Sequence, residues 1–232
     1  MMPAKFNDKT DIFFDLDHTL WDFERNSALA FEAVLSAHKL PFKIADFLQH
    51  YVGINEAYWE RYSLNQITQS ELRFGRLNDT FKALSFVSSA DVVAQIADDY
   101  IERLPQFNHL YDGAISLLEY LQPKYHLHVI TNGFHVVQQQ KIKNANLDSF
   151  FKTVTNSEMA GVKKPDSKIF MYALNEAKTV AQQSVMIGDN LIADIDGAQK
   201  AGIDTIYFNE HRYDQRPELL QVHTLSQIKE LL

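Results

Sequence analysis

Apolar residues recur along this chain with two different spacings, and the change of spacing divides the sequence into two kinds of region. From Trp21 to Leu104 the apolar residues lie three and four positions apart, which is the spacing of one face of an amphipathic helix. This spacing predicts helices over residues 27–38, 44–62, 70–84 and 90–104. The stretch contains no strand pattern, so we expect an all-helical segment.

Short apolar runs alternate with helical patterns in the rest of the chain. Strands are predicted at 126–131, around Val154, at 184–188 and at 204–208, and helices at 112–121, 135–145, 167–177 and 192–201. Such alternation is typical of a parallel sheet covered by helices. The apolar run Ile12–Leu20 has the same strand character but precedes the helical segment. We therefore predict an α/β protein in which residues 1–20 and 105–232 form a layered parallel-sheet core and residues 21–104 form an inserted helical domain.

The composition fits a globular protein and excludes several classes of function. The 232 residues are 46% hydrophobic, which is enough for a large core. There are 22 Lys and Arg residues against 30 Asp and Glu, a formal charge of −8 without a basic block, so we expect no nucleic acid partner. The absence of cysteine excludes disulfides, thiolate nucleophiles and cysteine-bound metals.

No segment predicts export or membrane insertion. Residues 1–10 are polar, and no apolar run approaches the ~20 residues that are needed to cross a bilayer. We therefore expect a soluble, cytoplasmic protein that does not bind membranes. No sequence pattern defines an oligomeric state.

The run Ile12–Leu20 carries two carboxylates, Asp15 and Asp17, one residue apart. Side chains at positions i and i+2 of a strand point to the same side, so two like charges would be forced together unless a cation or a proton separates them. Open α/β sheets hold their ligands at the carboxyl ends of the strands. The pair therefore predicts a metal-dependent acid site, in which Asp15 attacks an electrophile and Asp17 moves a proton.

Two further segments place polar residues just before predicted helices. Thr131-Asn132-Gly133 offers a hydroxyl and an amide that would join backbone N–H groups in holding an anion, with a plain helix cap and turn glycine as the alternative. Lys164 precedes Pro165, which restricts its backbone, so a fixed ammonium there would neutralise a phosphoryl oxygen. The alternative is a solvated pair with Lys163, and Asp166 is predicted to cap the next helix.

A fourth segment, Val185–Asp194, is another apolar strand that ends in acidic residues. Asp189 at the strand tip would reach a hard cation, and Asp194, about one helical turn further on, would steady the ligands. One such acid would be explained as a helix cap. Two acids at this spacing, in company with Asp15 and Asp17, predict a shared site.

Together these segments resemble the four signatures of the haloacid dehalogenase superfamily, in the expected order and over nearly the whole chain. The resemblance is carried by Asp15-Leu16-Asp17-His18-Thr19, Thr131-Asn132-Gly133, Lys164-Pro165, and Gly188-Asp189 with Asp194. Each motif is weak alone, whereas the set is specific. The insertion directly after the first motif resembles the helical cap subclass. The resemblance thus implies a Rossmann-like three-layer core with an all-helical cap domain.

The resemblance also implies a reaction. Asp15 would be the nucleophile that forms an aspartyl phosphate, and Asp17 would protonate the leaving alcohol and then activate water. Mg²⁺ would be held by Asp15, Asp189 and the main-chain carbonyl of Asp17, with Asp194 supporting these ligands. The implied activity is that of a Mg²⁺-dependent phosphomonoesterase.

The same resemblance names the phosphate contacts and a substrate class. Thr131, Asn132 and Lys164 would bind the phosphoryl oxygens. The stretches Asp-Leu-Asp-His-Thr-Leu-Trp-Asp-Phe and Gly-Val-Lys-Lys-Pro-Asp resemble those of pyrimidine 5′-nucleotidase-like phosphatases, which act on nucleoside monophosphates. The expected substrate is a small phosphorylated metabolite, in particular a nucleotide.

Other functions share parts of this pattern. True dehalogenases resemble the first motif but lack the second acid, because halide needs no proton to leave, so Asp17 favours phosphatase chemistry. A phosphatase or mutase for sugar phosphates would share nearly every core residue, and a non-catalytic binding module would keep the fold, although no motif residue is lost here. Substrate contacts near the insertion are expected from Trp21, Phe23, Trp59, Tyr62, Arg73 and Arg76, with core packing or solvation as the alternative.

Overall fold

The computed structural model describes residues 6–212 and 216–232. The strands are β1 (Asp11–Phe14), β2 (His126–Thr131), β3 (Phe151–Asn156), β4 (Ser184–Gly188), β5 (Asp204–Phe208) and β6 (Gln221–Val222). Among the described residues these six strands form one parallel sheet in the order β3-β2-β1-β4-β5-β6. The predicted α/β fold with a parallel sheet is confirmed.

The helices fall into two groups along the chain. They are α1 (Phe23–Ala37), α2 (Ile44–Ser63), α3 (Gln69–Ala83), α4 (Ala90–Arg103), α5 (Ala114–Leu121), α6 (His135–Asn144), α7 (Ser157–Ala160), α8 (Ser167–Ala177) and α9 (Gly197–Lys200). Turns of 3-10 helix cover Leu104–Gln106, Ala181–Gln183 and Leu225–Glu230, and a π-helical turn covers Leu191–Asp196. Helices α1 to α5 follow one another without a strand between them, whereas α6 to α9 are interspersed among strands β2 to β5. Within the described part of the chain, no helix combines the length and the apolar character that crossing a membrane requires.

Strand β1 occupies a central position in the sheet. All four of its residues are buried, because it pairs with β2 on one side and with β4 on the other. Phe14, its last residue, lies opposite Val129 of β2 and Ile187 of β4. Since parallel strands end at the same edge of a sheet, the residues that follow these positions are brought together there.

An apolar layer supports this edge from one face of the sheet. Phe13, Ile130 and Met186 share a buried cluster with Phe170 of α8 and Ala198 of α9. Burying a large apolar side chain contributes about 1.5–3 kcal/mol. The close packing of this layer holds the strands, and therefore the loops at their ends, in fixed positions.

The described residues form two compact units. The sheet unit contains the described residues of Met1–Phe23 and Asn108–Leu232, and the helical unit contains Glu24–Phe107. Inside the helical unit, Phe31 of α1 stacks on Tyr100 of α4 with ring centroids 4.0 Å apart. Such aromatic packing, rather than local helix propensity, gives short helices most of their stability.

The structure departs from the predicted elements in two ways near the strand ends. Strand β1 ends at Phe14, so the rest of the apolar run to Leu20 is not strand. The helix predicted over 192–201 begins instead with the π-helical turn, because the carbonyl of Asn190 accepts from the backbone N–H of Ile195 as well as from that of Asp194. The short elements β6 and α7 were not predicted, since a few residues carry no readable period.

Candidate active site

The carboxyl ends of β1, β2 and β4 bring predicted site residues to one edge of the sheet. Asp15 directly follows β1, and its backbone N–H donates to the carbonyl of Ile187 in β4 at 2.9 Å. Thr131 is the last residue of β2, and Asp189 directly follows β4. Main-chain pairing therefore fixes the places from which these three side chains extend.

Lys164 lies among the carboxylates of this edge. Its ammonium donates to Asp15 and to Asp194, the latter at 2.6 Å, and to the carbonyl of Ile130 at 2.9 Å. Burial alone would lower the pKa of Lys164, but the charges of Asp15 and Asp194 raise that pKa above its ordinary value. Lys164 is only 2% exposed, which excludes the solvated alternative for this residue.

Three carboxylates share the space around that ammonium. Asp15, Asp189 and Asp194 can each place an oxygen within 4.8 Å of the other two. Burial raises the pKa of Asp15 well above its ordinary value, and the charges of Asp194 and Asp189 add to this although Lys164 opposes it. Burial and the charge of Asp194 raise the pKa of Asp189 to about 8. One ammonium cannot balance three ionised carboxylates, so the cluster favours the binding of a proton or of a further cation.

The donor set fits a hard divalent cation, because carboxylate oxygens are the ligands that Mg²⁺ and Ca²⁺ prefer and the added charge would offset the repulsion. Hydrogen bonds from neighbouring groups already hold two of these carboxylates in place. Thr19 donates to Asp189 at 3.0 Å, and the backbone N–H of Asn190 donates to Asp194 at 3.0 Å. A Cβ at Gly188 would lie 2.3 Å from the Asp194 carboxylate, so only glycine lets that carboxylate approach the strand end.

Asn132 fastens the Lys164 loop to the end of β2. Its amide nitrogen donates to the carbonyl of Lys164 at 2.9 Å, and its amide oxygen accepts from the backbone N–H of Lys164 at 2.8 Å. Both ends of the side-chain amide are therefore engaged with the backbone that carries the ammonium. Phosphate binding by Asn132 itself stays a prediction.

Asp17 has partners different from those of Asp15. One of its oxygens accepts from Lys141 at 2.6 Å and the other from Gln138 at 2.9 Å. The premise that Asp15 and Asp17 share one side of a strand was wrong, because both residues follow the end of β1 at Phe14. The structure therefore separates a carboxylate cluster that contains Asp15 from a second carboxylate, Asp17, with its own cation.

Sequence reasoning missed Gln138 and Lys141. Both lie on α6, three positions apart and hence on one face of the helix, and both are buried. The stretch Gln138-Gln139-Gln140-Lys141 is polar throughout, so it shows no amphipathic period that would single out its buried members. Their position in the helix directly after Thr131-Asn132-Gly133 was the available signal.

The aromatic residues after the first motif are occupied by packing. Trp21 is fully buried, and its ring centroid lies 4.0 Å from the Nζ of Lys141. The ring of Phe23 lies 5.3 Å from the same atom. Both rings make cation–π contacts with the Lys141 ammonium. This favours the packing alternative for Trp21.

The candidates in the helical unit have partners within that unit. Trp59 packs edge-on against Tyr62 with ring centroids 5.6 Å apart. Arg73 forms an ion pair with Asp98, and Arg76 is 2% exposed. A role for any of them in substrate binding stays a prediction.

The fold and the clustered motifs together define a class of hydrolases. The family described as haloacid dehalogenase-like hydrolase matches residues 12–208, a span that includes every motif discussed above. The chain belongs to this family, and the membership predicted from the motifs is confirmed.

Relatives in this family include phosphatases. The chain is 29% identical to the protein YfnB of Bacillus subtilis over 95% of its length and 92% of the relative. It is 31% identical to the pyrimidine 5′-nucleotidase YjjG of Escherichia coli over 95% of each chain. It is 33% identical to a glyceraldehyde 3-phosphate phosphatase of Pyrococcus abyssi over 85% of its length and 80% of the relative.

A crystal structure of YfnB bound to magnesium resembles this chain throughout. The TM-score is 0.88 at 28% sequence identity, and the match covers 97% of this chain and 98% of the other. The likeness extends over the whole α/β architecture and the helical unit. This chain thus matches a relative whose structure contains magnesium over nearly all of both compared chains.

Proposed function

We propose that this protein is a Mg²⁺-dependent phosphomonoesterase that acts through an aspartyl phosphate, with pyrimidine nucleoside 5′-monophosphates as substrates. The observation that carries the proposal is the presence of two differently held acids, with Asp15 beside Lys164 and Asp17 beside Gln138 and Lys141. A nucleophile and a separate proton-transfer group are what ester hydrolysis requires. The relationship to YjjG supports the nucleotide as substrate.

In the first half-reaction, a carboxylate oxygen of Asp15 attacks the phosphorus of the monoester. The bond from phosphorus to the ester oxygen breaks, and Asp17 gives a proton to that oxygen so that the nucleoside leaves as an alcohol. Lys164 and the hydroxyl of Thr131 contact the phosphoryl oxygens and stabilise the charge that develops on them. Asn132 keeps Lys164 in place through its two backbone contacts.

In the second half-reaction, Asp17 removes a proton from water, and the resulting oxygen attacks the phosphorus of the aspartyl phosphate. The bond from phosphorus to the Asp15 oxygen breaks, which regenerates the carboxylate and releases inorganic phosphate. Asp15, Asp189 and the main-chain carbonyl of Asp17 would hold Mg²⁺, and Asp194 would orient these ligands. A bound Mg²⁺ would neutralise negative charge in the carboxylate cluster and on the phosphoryl group.

The helical unit, Glu24–Phe107, serves as the cap that selects the substrate, and the sheet unit serves as the catalytic core. Sugar phosphates are the second candidate substrates, because the Pyrococcus abyssi relative is a glyceraldehyde 3-phosphate phosphatase at 33% identity. The core chemistry would be the same for both, since the leaving group in each case is an alkyl alcohol. Phosphotransfer, as in a mutase, would differ only in the acceptor that replaces water.

The test is phosphate release from a panel of nucleoside monophosphates and sugar phosphates, measured with Mg²⁺ and with excess chelator. The panel contains UMP, dUMP, dTMP, AMP, GMP and glyceraldehyde 3-phosphate. Asp15→Asn is the inactive reference, and Asp166→Asn, which changes an acid that caps α8, is the matched control that retains turnover. Chloride release from 2-chloropropionate tests dehalogenase activity in the same preparations.

We expect Mg²⁺-dependent release that is highest for pyrimidine monophosphates and absent in Asp15→Asn. Highest release from glyceraldehyde 3-phosphate would keep the mechanism and replace the substrate. Chloride release without phosphate release would contradict the role given to Asp17. A folded wild-type protein that releases neither product would favour a non-catalytic binding module.

A further inference from the structure

Lys141 is built into the sheet unit as a partner of Asp17. Its ammonium lies 2.6 Å from one oxygen of Asp17, and its side chain is 2% exposed. The rings of Trp21 and Phe23 lie 4.0 and 5.3 Å from the same nitrogen. The flexible lysine side chain is thus held between a carboxylate and two aromatic rings, and these contacts restrict the position of its ammonium group.

Gln138 holds the other oxygen of Asp17 and also reaches the phosphate-binding motif. Its amide nitrogen donates to Asp17 at 2.9 Å and to the hydroxyl of Thr131 at 2.7 Å. Its amide oxygen is buried and has no hydrogen-bond partner among the described residues. An amide that leaves its acceptor unsatisfied while both N–H groups are used is oriented by those two donations.

The absence of a side chain at Gly133 leaves space for the Gln138 amide. A Cβ at Gly133 would lie 2.4 Å from the side-chain amide carbon of Gln138. The backbone N–H of Gly133 donates to the Thr131 hydroxyl at 3.0 Å, in addition to the donation from Gln138. A hydroxyl that accepts two hydrogen bonds has its own proton available to donate elsewhere, as binding of a phosphoryl oxygen requires.

We propose that Gln138 and Lys141 are positioning residues that fix the carboxyl group of Asp17 toward the leaving-group oxygen, and that Gln138 couples this orientation to that of Thr131. The inference rests on the proposed function. Both residues act on the reaction through their contacts with the Asp17 carboxyl group. Helix α6 thereby aligns the proton-transfer group with the phosphate contact through two side chains on one of its faces.

A role in positioning an acid differs from a purely structural role in its dependence on the leaving group. An alkyl alcohol needs a proton in order to leave, whereas p-nitrophenol leaves readily as the phenolate. A misplaced Asp17 therefore slows cleavage of an alkyl ester more than cleavage of p-nitrophenyl phosphate. Partial unfolding would lower both rates equally, so the ratio of the two kcat/KM values in one preparation is independent of the folded fraction.

The experiment measures kcat and KM for the best alkyl phosphate of the panel and for p-nitrophenyl phosphate. The variants are Lys141→Met, Lys141→Arg and Gln138→Leu, with Asp17→Asn as the reference for complete loss of the acid. Lys143→Met and Gln139→Leu are matched controls, because these residues are exposed on the same helix.

We expect Lys141→Met and Gln138→Leu to lower kcat/KM for the alkyl ester by about 10- to 100-fold, mainly through kcat. The ratio of alkyl to aryl kcat/KM falls in the same direction as in Asp17→Asn, and Lys141→Arg recovers part of it. The controls keep the wild-type ratio.

A ratio that stays at the wild-type value in Lys141→Met and Gln138→Leu, whatever their absolute rates, would overturn the positioning role and leave the proposed function standing. A wild-type protein that hydrolyses no phosphomonoester would overturn both. The two failures are therefore distinguished by the wild-type measurement alone.

Discussion

Two buried aspartates at opposite ends of β1 have opposite electrostatic properties. Asp11 begins the strand, and its carboxylate accepts from the hydroxyls of Thr10 at 2.6 Å and Thr179 at 2.8 Å, while the Nε2 of His128 lies 3.1 Å away. Asp15 follows the strand, with Lys164 as its cation and two further carboxylates close by. The two residues are almost equally buried, at 5% and 7% exposure.

The two carboxylates differ in how deeply the protein surrounds them and in how far hydrogen bonds satisfy them. Burial raises the pKa of Asp11, but hydrogen bonds from Thr10, Thr179 and His128 outweigh it and hold that pKa below its ordinary value. Burial raises the pKa of Asp15, and the neighbouring carboxylates raise it further. A carboxylate whose oxygens accept hydrogen bonds stabilises the fold. A carboxylate beside other carboxylates is repelled by them, and a bound cation relieves that repulsion.

The largest expected effect is the loss of turnover in Asp15→Asn. Removing the nucleophile should lower kcat by about 10⁴-fold or more, because an amide cannot form the acyl phosphate. The melting temperature should stay at or above that of the wild type, since the variant has one charge fewer in the carboxylate cluster. Steady-state kinetics and thermal unfolding on the same sample check both halves. A melting temperature that falls sharply would show that Asp15 supports the fold as Asp11 does.

The reverse result is expected for Asp11→Asn. Loss of the charged acceptor should lower the free energy of unfolding by about 1–3 kcal/mol, while kcat of the folded enzyme is retained. Urea unfolding and kinetics measure the two quantities, and Asp8→Asn at an exposed position is the matched control. A loss of kcat with unchanged stability would remove the contrast between the two ends of β1.

A smaller effect should appear in the pH dependence of stability without metal. The pKa of Asp189 is raised to about 8, so the folded state binds a proton that the unfolded state has lost. This contribution is fully present below pH 4 and disappears as the pH rises to about 8. In chelator, wild-type stability should therefore fall relative to Asp189→Asn over this range. Mg²⁺ should raise the melting temperature of the wild type but not of Asp189→Asn.

The smallest expected effect is on the pH dependence of stability and comes from His128, which contacts Asp11 at the start of β1. Burial lowers the pKa of His128 although Asp11 opposes this, so protonation is less favourable in the folded state than in the unfolded one. Stability should therefore fall as the pH drops below the ordinary histidine pKa of about 6.5. Urea unfolding of wild type and His128→Gln between pH 7 and pH 5 should show a flatter dependence in the variant. Parallel curves would assign the acid sensitivity to other groups.

Local pattern accounts for most of the elements, and long-range contacts account for most of the disagreements. The helices over 44–62 and 70–84 were predicted to within a residue or so of α2 and α3, because an apolar face repeats within each segment. The turn at Leu191–Asp196 was predicted as α-helix, since the same spacing does not reveal that the carbonyl of Asn190 accepts two hydrogen bonds. Strand β6 has two residues and so offers no period.

The sequence by itself determined the α/β class, the order of the longer elements and the placement of Asp15, Thr131 and Asp189 at strand ends. Hydrophobic period and strand-end chemistry are local properties of the chain. Only the tertiary structure decided which side chains contact one another in the site. Residues more than a hundred positions apart meet when the segment that follows β1 comes together with α6, which gives Asp17 its bonds to Gln138 and Lys141. Whether a buried carboxylate is satisfied or crowded depends on such contacts, and no local pattern encodes them.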